Sequence, residues 1–224
     1  MRALSIVVPV FNKYKFTKSC IDDLTKLPST HEIIIVDDCS TDETREQLEG
    51  SKEIKYIRND KNSGFAATVN NGYKNAESSN VLFLNNDIKV VSNHSDWTKE
   101  LIEDCDKYIV GPTMGLLDNS LNFIKEQDSF IPGNFSYMSG WCLASSKKIF
   151  NQLIINKYPG PFSQEFFCYF EDTDLSFRAR RMKIQFKVNT LPLVHFGKVS
   201  SKQLNTHKLY SESRKIFVQK WKNK

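Results

Sequence analysis

The sequence lacks most of what would staple a small secreted fold or carry a chain through a membrane. Its five cysteines, Cys20, Cys39, Cys105, Cys142 and Cys168, are odd in number, widely spaced and never form a Cys-x-x-Cys pair. They therefore read as free thiols in a reducing compartment, not as a disulfide framework. The apolar run at the N-terminus stops at Val10, far short of the roughly 20 residues of a membrane span. It has no cleavage-site pattern, so it is expected to be a first strand of a cytoplasmic protein. The stretch around Gly64 has neither the Gly-Lys-Ser/Thr of a phosphate loop nor a Gly-x-Gly-x-x-Gly. RNP-like, zinc-finger and arginine-rich motifs are missing as well, which argues against nucleic acid as a partner. There are no internal repeats and no low-complexity tracts.

What is present suits an ordinary soluble domain. The 224 residues are 40% hydrophobic and 25% charged, enough to bury a real core. The net charge of +5 is a mild excess. Residues 206–224 hold six of the lysines and arginines against one acid. That tail suits a solvated amphipathic helix, a peripheral contact with an anionic membrane surface or acidic partner, or a junction to a further domain. Residues 1–205 are expected to form one domain, with a regular half over 1–112 and an irregular half over 113–205.

The regular half alternates strands and helices. Leu4–Val10 and Glu32–Val36 are continuous β-branched apolar runs, as in strands buried on both faces. Ile54–Ile57, Val81–Leu84 and Tyr108–Pro112 are further strands. Tyr14–Leu27, a segment starting at Ser40 or Thr41 and ending at Gly50, Gly64–Glu77 and Trp97–Cys105 read as helices. This alternation predicts right-handed βαβ units and a mostly parallel sheet. Residues 113–145 read as short strands and turns. Ser146–Leu153 and Asp172–Met182 read as helices, Ile184–Val188 and Leu193–Phe196 as strands, and Thr206–Trp221 as a last helix.

Chemistry-bearing residues sit where strands should end, which is where open α/β sheets bind ligands. Pro9 stops the hydrogen-bond ladder of the first strand, letting Val10, Phe11 and Asn12 turn over a ligand or simply end the strand. Asp37 and Asp38 close the second. Two carboxylates there need pairing, solvent or a ligand; they fit either helix capping or acceptance from a nucleobase N–H and ribose hydroxyls. In Asn62-Ser63-Gly64-Phe65, glycine permits close backbone approach and the following helix start favours anions. Asn85-Asn86-Asp87 closes the fourth strand as an Asn-rich turn or as oxygen ligands for Mg²⁺ or Mn²⁺ on a diphosphate. Glu171-Asp172 opens a helix, with N-capping and proton abstraction both available to Asp172. Asp174 and Arg178 are spaced for an ion pair.

In their order and spacing, Val8-Pro9-Val10-Phe11-Asn12, Val36-Asp37-Asp38-Cys39-Ser40-Thr41-Asp42-Glu43-Thr44, Asn62-Ser63-Gly64-Phe65-Ala66, Asn85-Asn86-Asp87 and Glu171-Asp172-Thr173-Asp174-Leu175-Ser176-Phe177-Arg178 resemble family 2 glycosyltransferases of the GT-A fold. The resemblance runs from Leu4 to about Ser201 and is nearest to the rhamnosyltransferase-like branch. It implies an α/β fold with a mostly parallel central sheet flanked by helices. It also implies an inverting hexosyltransferase of polysaccharide biosynthesis that uses a nucleotide-diphosphate sugar, UDP-linked or next dTDP-linked. The acceptor would be a glycan or lipid-linked glycan, and a divalent cation, Mn²⁺ or Mg²⁺, would assist. By position, Pro9, Val10, Phe11, Asn12, Asp37, Asp38, Asn62, Gly64 and Phe65 would surround the nucleotide, with Asp38 on the base. Asn86 would reach ribose or donor sugar. Asp87 would hold the cation, and His195, after an apolar strand, would be a third metal ligand or else a core histidine with satisfied hydrogen bonds. Asn85 departs from the family's first acid, which weakens the cation site. Asp172 would be the catalytic base. Gly140, Trp141 and Glu171 would lie near donor and acceptor sugars, with Trp141 either stacked on a pyranose or packed in the sheet.

Two other functions fit less well. A sugar nucleotidyltransferase would carry a Gly-rich basic loop after the first strand, where this chain has Phe11-Asn12-Lys13-Tyr14-Lys15. A degenerate domain that only binds nucleotide or glycan would have no need of Asp172.

Overall fold

The computed structural model describes residues 3–28, 30–91, 96–197 and 206–222; the end of the family resemblance near Ser201 lies outside them. In chain order the elements are β1 (Leu4–Val10), α1 (Tyr14–Leu24), β2 (His31–Asp37), α2 (Thr44–Leu48), β3 (Lys55–Arg58), α3 (Phe65–Asn75) and β4 (Asn80–Leu84). Then come β5 (Ile88–Val90), α4 (Thr98–Asp104), β6 (Tyr108–Gly111), β7 (Met114–Leu117), β8 (Phe123–Gln127), β9 (Ser136–Met138) and β10 (Cys142–Ser146). The chain finishes with α5 (Lys147–Phe150), a 3-10 turn over Asn151–Leu153, α6 (Glu171–Arg181), β11 (Gln185–Val188), β12 (Leu193–His195) and α7 (Thr206–Trp221).

Seven strands form the central sheet in the order β11-β6-β10-β4-β1-β2-β3. β1 pairs parallel with β2 and β4, β2 with β3, and β6 with β11. β10 runs antiparallel to β4 and β6. The result is the mostly parallel α/β sheet of the GT-A architecture, and alternation along its strands builds two cores. Val7, Ile34, Val36 and Phe83 face α3, α5 and α6. Leu4, Ile6, Val8, Ile33, Ile35, Leu82 and Leu84 face α1, α2 and α4. Gly72 lets α3 lie against β1, since a Cβ there would stand 2.2 Å from a Val7 methyl.

Two small sheets are attached. β8-β7-β9 is antiparallel, and the β5–β12 ribbon sets His195 opposite Ile88. A third cluster, with Phe166, Phe170, Phe177 and Phe217 at its centre, buries one face of α7 against α6. The terminal helix is therefore docked along an aromatic seam. No helix among the described residues is long and apolar enough to cross a membrane.

Some local expectations change. α1 ends at Leu24, three residues early. α2 starts at Thr44 because Ser40 and Thr41 do not cap it: the Ser40 N–H is held by Asp37 Oδ1 and the Thr41 N–H by Asn12 Oδ1. β5 was not expected; its three residues are too few to show a period. The Asp174–Arg178 pair forms, at 2.8 Å.

Candidate active site

The parallel strands β1, β2 and β4 end on one edge of the sheet, and a cavity of about 740 Å³ opens there. Its near wall comes from the first half of the chain. Pro9, Val10, Phe11, Asp38, Asn62, Gly64 and Phe65 line it. The Asp38 carboxylate is largely occupied by its own protein: Oδ1 accepts from Asn59 Nδ2 and the Ser63 N–H, both at 2.8 Å, and Oδ2 from the Gly64 N–H at 2.9 Å. Of about four lone-pair sites on a carboxylate, one on Oδ2 is left for a ligand among the described residues.

Two expected nucleotide contacts do not reach the cavity. Asp37 is fully buried behind it, where Tyr56 Oη donates at 2.6 Å and Arg58 pairs with the same oxygen. Adjacent strand residues point opposite ways, so Asp37 and Asp38 cannot both face one ligand. Asn12, at φ 57°, ties two loops together instead: its N–H donates to Ser40 Oγ at 2.7 Å, and its Oδ1 accepts from the Thr41 N–H at 2.7 Å. The α3 start is also not an open anion site. Its Gly64 N–H bonds Asp38, and its Phe65 N–H bonds the Phe167 carbonyl at 2.8 Å. Gly64 (φ +83°) makes its close approach to that carbonyl, 2.3 Å from where a Cβ would sit.

The floor is Asn85-Asn86-Asp87. Asn86 Nδ2 donates to Thr17 Oγ1 at 2.9 Å, so part of its side chain is committed to α1. The β5–β12 ribbon brings His195 Nε2 to 3.1 Å from Asp87 Oδ1 and 3.4 Å from Asn85 Nδ2. Trp141 stacks on the imidazole, centroids 4.8 Å apart and 9° from parallel. One Trp141 face is thereby used on His195. Among the described residues, no group of three or more His, Cys, Asp and Glu side chains is placed to hold a metal. Two ligand atoms about 2.1 Å from one octahedral ion at right angles stand about 3 Å apart, so Asp87 and His195 are spaced to share a cation whose other ligands come from substrate and water.

The far wall comes from α6 and the β7–β9 sheet. Asp172 Oδ2 accepts from the Gly140 N–H at 2.8 Å, and Oδ1 from the Thr173 N–H at 2.6 Å and Thr173 Oγ1 at 3.1 Å. One lone pair on Oδ2 faces no protein donor among the described residues. Burial holds the Asp172 carboxyl above the usual aspartate range, and Glu126 on the same wall adds to this against the pull of its hydrogen bonds. Burial pushes Glu171 up as well, and the Asp172 charge adds to it. Glu171 Oε2 is buried with no hydrogen-bond partner among the described residues. Just before this pair, Tyr169 and Phe170 both adopt left-handed backbone, φ 74° and 67°, which costs roughly 1–2 kcal/mol per residue.

Residues 5–114 match the family model described as "Glycosyl transferase family 2". The chain is 31% identical over 116 residues to the Staphylococcus aureus poly(ribitol-phosphate) beta-N-acetylglucosaminyltransferase TarS, an overlap of 49% of this chain and 19% of TarS. It is 30% identical over 105 residues to the Bacillus subtilis putative teichuronic acid biosynthesis glycosyltransferase TuaG, covering 45% and 39%. An uncharacterized glycosyltransferase of Haemophilus influenzae is 35% identical over 85 residues, covering 38% and 29%. The chain thus spans less than two fifths of each of these curated relatives. The fold matches the structure of S. aureus TarS 1-349 in complex with UDP, TM-score 0.55 at 20% identity over 79% of this chain and 54% of that one. It also matches the Pyrobaculum calidifontis mannosyltransferase PcManGT in complex with GDP-Man and Mn2+, TM-score 0.58 at 14% identity over 84% and 55%.

The family 2 match covers the near wall and stops before the far one. The far wall holds cavity-lining residues that the sequence motifs did not mark: Glu126, Tyr137, Phe170 and Tyr210. Glu126 Oε1 accepts from Ser139 Oγ at 2.9 Å, one residue from Gly140. A signal for Tyr210 does exist. Tyr210, Ser213, Phe217 and Trp221 recur at helical spacing in the tail.

Proposed function

We propose that the protein is an inverting glycosyltransferase that moves a sugar from a UDP-linked donor to a hydroxyl of a glycan acceptor. One observation carries this reading: Asp172, with an open lone pair, lines the same cavity as Asp38 and Asp87. A donor lying along the near wall would thus present its anomeric carbon between diphosphate and base. Asp172 removes the proton from the acceptor hydroxyl, whose oxygen attacks the anomeric carbon. The bond from that carbon to the diphosphate breaks, and the nucleoside diphosphate leaves with the electron pair. No covalent enzyme intermediate is required. The raised basicity of Asp172 suits it to accept a proton in the transition state. The open lone pair of Asp38 fits the N3–H of a pyrimidine, and the UDP named with the TarS structure favours uracil over thymine.

Charge supports a divalent cation. Asp38, Asp87, Glu126 and Asp172 line the cavity, with no lysine or arginine among the described lining residues. A diphosphate would meet repulsion there unless a cation accompanied it. Asp87 and His195 would hold Mn²⁺ or Mg²⁺, with Asn85 beside them. The cation would neutralise charge on the leaving diphosphate. The rhamnosyltransferase-like branch rests on Asn85-Asn86-Asp87 alone, so the donor sugar is left open. We assign residues 1–205 to donor and acceptor binding, with the acceptor on the wall from 113 onward.

Calorimetric titration of UDP, dTDP and GDP, with and without Mn²⁺, on wild type and Asp87→Ala tests the donor side. Mn²⁺-dependent binding of UDP that the variant loses is the expected result. Failure of every nucleoside diphosphate to bind in either condition sinks the reading and favours a degenerate binding domain.

A further inference from the structure

Helix α7 grips the turn that presents the carboxylate pair. Ser213 Oγ donates to the Cys168 carbonyl at 2.7 Å. The Tyr210 ring packs on Tyr169 and Phe170, centroids 5.8 and 5.1 Å apart. Phe217, fully buried, stacks on Phe170 at 5.0 Å. The far end of α7 is pinned to the helix that this turn begins: Trp221 Nε1 donates to Asp174 Oδ1 at 2.9 Å, and Lys220 Nζ stands 3.0 Å from the same oxygen. Tyr169 and Phe170 are left-handed without being glycine, a conformation that persists only where the surroundings enforce it. On the donor side, the Phe65 N–H to Phe167 carbonyl bond is one such restraint. The Tyr169 backbone also bonds the Glu171 carboxyl, and α7 supplies the contacts described above. Relaxation of either residue to right-handed or extended backbone would re-aim Glu171 and Asp172.

We propose that α7 is a positioning element for the Glu171–Asp172 pair, with Ser213 and Tyr210 as the positioning residues that hold the 168–170 turn left-handed. The geometry stands by itself; its catalytic consequence rests on the reading of Asp172 as the base. The strong coupling of this helix to the site also explains why a basic tail carries an aromatic stripe. Lys208 and Lys215 cover its solvent side while the rings face the turn.

The test uses the full chain, hydrogen exchange of the 168–173 amides, and ¹³C carboxyl titration of Asp172, which is faced by Glu171 on its own helix and by Glu126 and Tyr137 on the β7–β9 sheet. In Ser213→Ala, exchange across 168–173 should rise about tenfold, with β1 and β2 protection unchanged. The Asp172 titration should move down toward an ordinary aspartate. Ser213→Thr, which keeps the hydroxyl, should restore both, and Tyr210→Ala should reproduce the effect without touching the buried hydrogen bond. Unaltered exchange and titration in both Ser213→Ala and Tyr210→Ala overturns the proposal, and so does a protection loss spread evenly over the sheet. Calorimetry with UDP on wild type runs alongside. Absent UDP binding counts against the donor site and leaves the exchange comparison valid.

Discussion

On the near wall of the cavity and in the loops behind it, the polar groups answer one another. Asp38 binds Asn59, Ser63 and Gly64, Asn12 binds Ser40 and Thr41, and Asp37 binds Tyr56 and Arg58. On the far wall Asp172 accepts as many hydrogen bonds as Asp38, but its neighbour is less well served. Glu171 Oε2 has no partner among the described residues, two neighbouring carboxyls share a buried site, and the turn before them is held in a costly conformation. The first arrangement fixes a shape in advance, so a ligand finds its contacts already aimed. The second holds two buried carboxyls above their ordinary range, the basicity that the proposed proton transfer would use. On that proposal one wall binds and the other reacts.

Substitutions can break this contrast from either side. The largest effect is expected from Asp172→Asn, which should lower the transfer rate about 10²–10⁴-fold and leave nucleotide affinity and thermal midpoint unchanged. Initial rates and calorimetry check it, and a loss of nucleotide affinity would show the two walls to be one unit. In wild type, the rate should fall on acidification at a higher pH than an ordinary aspartate would give, because the raised carboxyl must lose its proton to act.

Next is Asp38→Ala. It strands three donors on the near wall and should destabilise the fold by roughly 2–4 kcal/mol in urea denaturation while abolishing nucleotide binding. A mild loss would mean that water replaces the carboxylate and the wall is less preformed than its bonding suggests.

The smallest effect is on stability alone. Folded Glu171 keeps its proton to a higher pH than unfolded Glu171, so the folded state binds more protons between the two values. Stability therefore declines as pH rises from the ordinary glutamate range to the raised one. Glu171→Gln should remove that slope and be more stable at alkaline pH by on the order of 1 kcal/mol. Chemical denaturation at several pH values reads this, and an unchanged slope would assign the buried charge elsewhere.

The near wall was legible in the sequence because its motifs follow buried strands whose β-branched runs mark their own ends. The limits of that legibility are Asp37 and Asn12. Position at a strand end does not say which way a side chain points, and both turned away to brace loops. The far wall was less legible. The residues left Asp172 open between N-cap and base, Gly140 and Trp141 were marked only through a family resemblance, and Glu126 and Tyr137 sit on short antiparallel strands without a distinctive pattern. Tyr210 was hidden by its charged neighbours. Lysines and Arg214 in the tail drew the reading toward solvent or membrane, although the aromatic spacing pointed inward.

The β5–β12 ribbon has a consequence for the order in which the molecule is made. Asp87 emerges during synthesis more than a hundred residues before the imidazole that stands 3.1 Å from its carboxylate. The parallel strands that carry Asp38 and Asp87 can pair while later segments are still being added. The Asp87–His195 contact cannot form until β12 has arrived to close the ribbon. The floor of the cavity is thus the part of the site that waits for the last quarter of the polypeptide.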